Sequence, residues 1–262
     1  MISNDSKLLS QEQNRLKPSI NTNNQQKIVL LFDIDSTLVS LMPGLNHQVF
    51  ADSFAGVFGI RPNAKQMGNF AGKTDRQIIA EVGKNLGLND DTVKRKTDDV
   101  IIELTRHSAD LFSENSIEVL PGVHELLKHL ADDMRIGLGL VTGNNRTCAS
   151  LKLKPHGLHD YFTFGAYGCE SEDRKDLPLL ALQRASDLYP KHDFLPEATI
   201  IIGDSHGDIR CALANNMLCI GVATGHCSSE ELLSGGAHFV VENLSEKNML
   251  MRFIDMVAEK NI

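Results

Sequence analysis

The amino-acid sequence predicts an α/β fold: a parallel sheet flanked by helices, with an α-helical cap inserted near its start. Three observations carry that prediction. Short apolar, β-branched runs alternate with helix-periodic segments over most of the chain, the pattern of parallel strands joined by right-handed crossovers. The stretch from about Leu41 to Ile117 breaks the alternation with several helical patterns in succession. Two of the apolar runs stop abruptly at paired acids, and in an open parallel sheet ligands sit outside the carboxyl ends of the strands.

Bulk properties narrow the function classes. The chain has 262 residues, enough to bury one large core, and its 42% hydrophobic and 23% charged residues are ordinary for a soluble enzyme. No apolar run is long enough to span a bilayer, so no membrane partner is expected. A net charge of −8 opposes attraction to phosphate backbones, so nucleic acid is not expected either. Cys148, Cys169, Cys211, Cys219 and Cys227 form no C-x-x-C pair and read as small buried hydrophobes in a reducing compartment, which points to a cytoplasmic protein. The ten histidines show no metal-ligand spacing.

In chain order, residues 1–26 are rich in Ser, Asn and Gln, lack a signal peptide's apolar core, and are expected to be a disordered polar tail. Ile28 to Phe32 is a buried strand that ends in Asp33-Ile34-Asp35-Ser36-Thr37. The division expected from there is a core of residues 27–40 and 118–262 and a cap of 41–117, placed over the strand ends as a lid. Within the cap, Phe50, Phe54, Val57 and Phe58, then Ile78, Ile79, Val82 and Leu86, then Val100, Ile101, Leu104 and Leu111 recur at helical spacing. Val123, Leu126, Leu127 and Leu130 mark a further amphipathic helix, as do Leu177 to Leu188 and Ile209 to Asn216. The remaining strands are read at Ile136 to Val141, Tyr161 to Phe164, Thr199 to Ile202 and Leu218 to Val222.

The acids suggest the chemistry. Asp33 can be read as a helix cap or as a nucleophile that attacks phosphorus to give an aspartyl phosphate. Such an attack brings two anions together and calls for a hard divalent cation with oxygen ligands. Gly203-Asp204-Ser205-His206-Gly207-Asp208 follows a second apolar strand and supplies more carboxylates. Four carboxylates at one sheet edge repel unless a cation neutralises them, so Asp33, Asp35, Asp204 and Asp208 are the candidate metal site, with Mg2+ preferred over zinc. Asp35 is placed to move a proton to and from the leaving oxygen. Thr142, ending the strand before Gly143 and Asn144, is a candidate phosphate contact through its hydroxyl and the free N–H groups of the turn, and Thr37 is another.

These residues resemble motifs I, II and IV of the haloacid dehalogenase superfamily: Asp33-Ile34-Asp35-Ser36-Thr37, Val141-Thr142-Gly143 and Gly203-Asp204-x-x-x-Asp208. The resemblance runs from about Lys27 onward. It implies a Rossmann-like core with a cap inserted after the first strand, Asp33 as nucleophile and Asp35 as acid/base. It also implies magnesium held by the Asp33 carboxylate, the Asp35 backbone carbonyl and Asp204, with Asp208 in support. Ala71-Gly72-Lys73-Thr74-Asp75 is similar to the substrate-specificity loop of phosphoglycolate phosphatase-like members, and makes Lys73, Thr74 and Arg76 candidate substrate contacts. The chain departs from that pattern at motif III, where Glu172-Asp173-Arg174-Lys175-Asp176-Leu177-Pro178 replaces the usual Lys-Pro. Phosphoryl oxygens still need a cation, and Arg174 is the expected one with Lys175 as the alternative.

The expected function is a magnesium-dependent phosphatase that hydrolyses a small phosphorylated metabolite. A phosphomutase and a catalytically silent binding protein of the same fold are the alternatives. Monomer and homodimer are equally open.

Overall fold

The computed structural model describes residues 28–192 and 194–260, so the expected polar tail lies outside the described residues. The strands, in chain order, are β1 (Ile28–Phe32), β2 (Val39–Leu41), β3 (Ile117–Val119), β4 (Ile136–Thr142), β5 (Phe164–Tyr167), β6 (Thr199–Gly203), β7 (Leu218–Val222) and β8 (Phe239–Val241). The helices are α1 (Leu45–Phe58), α2 (Ala64–Met67), α3 (Asp75–Asn85), α4 (Asp90–Leu111), α5 (Val123–Ala131), α6 (Arg146–Leu153), α7 (Leu177–Leu188), α8 (His206–Ala214), α9 (Ser229–Ser234) and α10 (Lys247–Lys260).

Six strands form one sheet in the order β5-β4-β1-β6-β7-β8, and every neighbouring pair is parallel. All five β1 residues are buried, and their alternation divides them between two cores. Ile28, Leu30 and Phe32 pack on one face with Leu126, Leu127 and Ile254, while Val29 and Leu31 pack on the other with Leu177, Ala181 and Ile209. Each such side chain contributes about 1.5–3 kcal/mol relative to exposure. A strand buried on both faces has no polar alternation, so it reads as a continuous apolar run.

The antiparallel ribbon of β2 and β3 pairs Val39 with Val119 and Leu41 with Ile117. It carries the chain out to four helices and back. Those helices bury Phe54, Ile79, Val82, Val100 and Leu104 among themselves, the helical spacing expected between Leu41 and Ile117.

Two expectations need correction. The strand read at Tyr161 to Phe164 begins at Phe164 and runs to Tyr167, while His159–Tyr161 forms a single 3-10 turn. Its pairing residues, Gly165 and Ala166 among them, are too small to register as an apolar run, yet Ala166 is fully buried against β4. The helix read at Ile209 to Asn216 starts earlier, at His206, where Ser205 caps it reciprocally with Asp208. The ribbon and β8 carried no sequence signal, being three residues each. Among the described residues, no helix is long and apolar enough to cross a membrane.

Candidate active site

The central position of β1 places Asp33 at the carboxyl edge of the sheet. The Asp33 N–H donates to the Ile202 carbonyl at 2.9 Å and extends the β1–β6 ladder one step beyond Phe32. The chain then reverses: Ser36 sits at φ 59°, its N–H donates to the Val39 carbonyl at 2.8 Å, and its carbonyl accepts from Thr224 Oγ1 at 2.5 Å. The neighbouring strand β6 delivers Asp204 to the same edge, and the first turn of α8 adds Asp208.

Asp33, Asp204 and Asp208 are all buried, and each offers a carboxylate oxygen within 4.8 Å of the others. Arg174 reaches into this group, with Nη2 3.1 Å from Asp33 Oδ1 and 2.6 Å from Asp208 Oδ1. Asp208 also accepts from Ser205 N at 3.1 Å and Ser205 Oγ at 2.6 Å. Burial raises the Asp33 carboxyl to about 7, against the pull of Arg174 and with the help of Asp208 and Asp35. Burial likewise raises Asp204 to about 8, reinforced by Asp208 and Asp33. For Arg174, burial works against the charge, but Asp208 and Asp33 outweigh it and hold the guanidinium well above its ordinary value.

A hard divalent cation fits this donor set. The ligand atoms are all carboxylate oxygens, and a cation among them would relieve the repulsion that burial leaves unscreened.

Asp35 is held separately. Lys152 Nζ lies 2.7 Å from Asp35 Oδ1 and 2.8 Å from Oδ2, and Asn144 Nδ2 donates to Oδ2 at 2.7 Å. Lys152 also donates to Asn144 Oδ1 at 2.7 Å, which closes a three-residue ring. Sequence reasoning missed Lys152, which is 1% exposed. Its signal was present: it shares the buried face of α6 with Cys148, Ala149 and Leu153, and a lysine at a core-facing position needs a partner.

The other candidates fall into distinct places. A cleft of about 650 Å³ is lined by Asp33, Asp35, Gly143, Asn144, Arg174 and Asp204 from the core, and by His47, Phe50, Phe70 and Lys73 from the helical insertion. Thr142 is fully buried, and its Oγ1 accepts from Asn144 Nδ2 at 2.9 Å, so it fixes the turn rather than lining the cleft. Thr37 is also fully buried, with Oγ1 3.5 Å from Asp204 Oδ1. Lys175 points away and pairs with Asp173 at 3.2 Å, both side chains being about half exposed.

The segment Gly72–Arg76 clasps the core. Asp75 N–H donates to the Gly143 carbonyl at 2.8 Å, and Asp75 Oδ2 accepts from Asn145 N at 2.6 Å and Asn145 Nδ2 at 3.0 Å. Thr74 Oγ1 donates to the Glu172 carbonyl at 2.9 Å, and Arg76 Nε donates to the Cys169 carbonyl at 2.5 Å. The approach is close enough that a Cβ on Gly143 would lie 1.9 Å from the Lys73 carbonyl oxygen. Gly72, at φ +69°, meets Gly207 in the same way. Thus Thr74 and Arg76 bind core backbone, and neither lines the cleft.

Comparison with known proteins places this geometry. A family model described as haloacid dehalogenase-like hydrolase matches residues 30–222. The chain is 26% identical over 234 residues to a phosphoglycolate phosphatase of Vibrio vulnificus, covering 85% of this chain and 95% of that protein. Among solved structures, it is similar to a β-phosphoglucomutase from Clostridium difficile (TM-score 0.63, 18% identity, 89% of this chain and 98% of the other). It is also similar to a hydrolase from Pseudomonas syringae (TM-score 0.60, 20% identity, 86% and 99%). With the matched segment running from the strand that delivers Asp33 through the one that follows Asp208, the chain belongs to the haloacid dehalogenase-like hydrolases.

Proposed function

We propose that the protein is a magnesium-dependent phosphatase that hydrolyses a small phosphomonoester through an aspartyl phosphate on Asp33. The observation that carries this reading is the convergence of Asp33, Asp204 and Asp208 with Arg174 at the carboxyl ends of β1 and β6. The three carboxylates, with the Asp35 backbone carbonyl, would hold the ion, which when bound neutralises charge on nucleophile and phosphoryl oxygens. Asp33 attacks phosphorus, forming a new P–O bond as the ester P–O bond breaks. Asp35 donates a proton to the departing oxygen, then accepts one from the water that hydrolyses the aspartyl phosphate.

Arg174 restrains Asp33 and Asp208 and offers its charge to the phosphoryl oxygens. Lys152 and Asn144 act as positioning residues that fix the Asp35 carboxylate, and the Gly143-Asn144 turn lines the phosphate pocket. The division into a core of 27–40 and 118–262 and a cap of 41–117 belongs to the same reading. So does a cytoplasmic location, supported by five free cysteines.

Replacing Asp33 tests the centre. Asp33→Asn should reduce phosphate release from para-nitrophenyl phosphate by about 10³-fold or more. Wild-type turnover in that variant would rule out the covalent route. With a sugar phosphate as substrate, free phosphate as the product separates hydrolysis from phosphomutase transfer.

A further inference from the structure

A phosphatase must also accommodate the group to which the phosphate is attached, and the cap side of the cleft faces that group. Its charges are already committed. Lys73 pairs with Glu81, whose other oxygen accepts from Gln77 Nε2 at 2.9 Å. Arg76 pairs with Asp98 at 2.6 Å and lies outside the cleft. On the core side, Arg174 is bound by Asp33 and Asp208. Among the described residues that line the cleft, each Lys or Arg therefore already has a carboxylate partner.

A second anionic group on the substrate would meet no uncommitted Lys or Arg there. His47 packs edge-on against Phe70 with ring centroids 4.5 Å apart, and its Nε2 is buried without a hydrogen-bond partner among the described residues, so it adds one uncharged polar atom to the cap side. His226 is exposed.

What the cap side does offer is uncharged hydrogen bonding beside an aromatic surface. The Asn46 side-chain amide has no hydrogen bond to any described residue. Asn69 uses Oδ1 to accept from Ala71 N at 2.9 Å, which leaves its Nδ2 donors unpaired among the described residues. Both residues line the cleft, together with Phe70, which is braced by Phe50 at a centroid distance of 4.7 Å. An amide supplies donors and an acceptor for hydroxyls, and a phenyl face packs against C–H groups. The volume of about 650 Å³ suits a substrate of that kind.

Resting on the phosphatase reading, we propose that the leaving group is an uncharged, hydroxylated carbon skeleton of sugar size, with its apolar face on Phe70 and its hydroxyls on Asn46 and Asn69. A short carboxylated leaving group would have to compete with Glu81 for Lys73, or with Asp33 and Asp208 for Arg174, and would otherwise lie against phenyl rings.

Kinetics of the full chain with magnesium test this, using glucose 6-phosphate and ribose 5-phosphate against 2-phosphoglycolate. Acetyl phosphate reports on the centre alone, since its leaving group offers neither hydroxyls nor a ring face. The better sugar phosphate should exceed 2-phosphoglycolate in kcat/KM by about tenfold or more. Asn46→Leu should raise its KM by about tenfold while leaving acetyl phosphate kinetics unchanged, and Asn69→Asp, which keeps the acceptor for Ala71 N and removes the Nδ2 donors, should do the same. Calorimetric titration of the same sugar phosphate into the Asp33→Asn chain, with and without Asn46→Leu, should show the same loss in affinity without turnover.

Preference for 2-phosphoglycolate, or an equal effect of the asparagine variants on acetyl phosphate, would overturn the proposal. Sugar phosphate binding that depends on Asn46 in a chain inert toward acetyl phosphate would support the subsite and remove the phosphatase reading instead.

Discussion

Asp35 is gripped at both carboxylate oxygens by a lysine that solvent does not reach, and this is the arrangement most open to test at the level of single residues. If Lys152 orients Asp35 for proton transfer, its loss should matter most where the leaving group needs a proton. Lys152→Met is expected to lower kcat for an alkyl phosphomonoester by about 10²-fold. With para-nitrophenyl phosphate, whose leaving group departs unprotonated, stopped-flow should still show the nitrophenolate burst. Equal loss in both phases would reduce Lys152 to a support of the fold. Arg174→Met carries a different expectation. It strands Asp33 and Asp208 without their shared guanidinium, so a fall in unfolding free energy of about 3–5 kcal/mol by urea titration should accompany loss of activity. The acids were legible because each follows an apolar strand, and Arg174 because phosphoryl chemistry demands a cation. Lys152 was missed although it shares the apolar face of α6 with Cys148, Ala149 and Leu153, because its partner Asp35 lies more than a hundred residues away in the chain.

Among the elements, the segment Gly72–Arg76 ties the helical insertion to the core, alongside Thr105 and Ser108 of α4, which meet Asn145 and Cys148. Of the candidate substrate contacts in this loop Lys73 lines the cleft, whereas Thr74 and Arg76 bond to the Glu172 and Cys169 carbonyls and the backbone bonds to Gly143 and Gly168. Asp75 is 6% exposed and is held by Asn145. Burial raises its carboxyl to about 6, against the backbone and side-chain hydrogen bonds from Asn145 and the charge of Lys152. A carboxyl raised on folding contributes stability that is fully present below its ordinary value of 3.8 and is lost as pH rises through about 6. Asp75→Asn cannot ionise, yet its carbonyl can still accept from Asn145. The variant should therefore gain on wild type by about 2–3 kcal/mol between pH 4 and pH 7.5 in paired urea titrations, an interval set by the shift itself. A constant difference across that range would show that Asp75 stays charged without penalty. The single turn Ala64–Met67 was too short to show a period, but the other three of the four helices in this region were legible from their spacing. Their docking was not, since Gly143 and Gly72 reveal a close approach only once the facing backbone is known.

Across the whole molecule, the sheet order brings together acids that are far apart in sequence, and a divalent cation held by them would couple its binding to folding. β1 and β6 are adjacent, so Asp33 and Asp204 meet although the entire cap and half the core separate them in the chain. Apolar runs ending in acids made that meeting predictable. The place of β5 was less so, since its small residues hide a buried strand. Raised from 3.8 to about 7 and about 8, Asp33 and Asp204 bind protons more tightly when folded, so the metal-free protein loses stability as pH rises from the ordinary carboxyl value up to and through that window. A divalent cation competes for the same oxygens, so it must displace those protons below the window and meets ionised ligands above it. Magnesium affinity should consequently rise between pH 6 and pH 8.5. At a concentration 100 times Kd, the ion stabilises the fold by about 2.7 kcal/mol through mass action. Thermal melts with and without magnesium should therefore show a larger gain at pH 8.5 than at pH 6, and Asp204→Asn should abolish it. Calorimetry at pH 7 in two buffers of different ionisation enthalpy should register proton release on binding. A magnesium gain that ignores both pH and Asp204 would place the ion elsewhere on the protein.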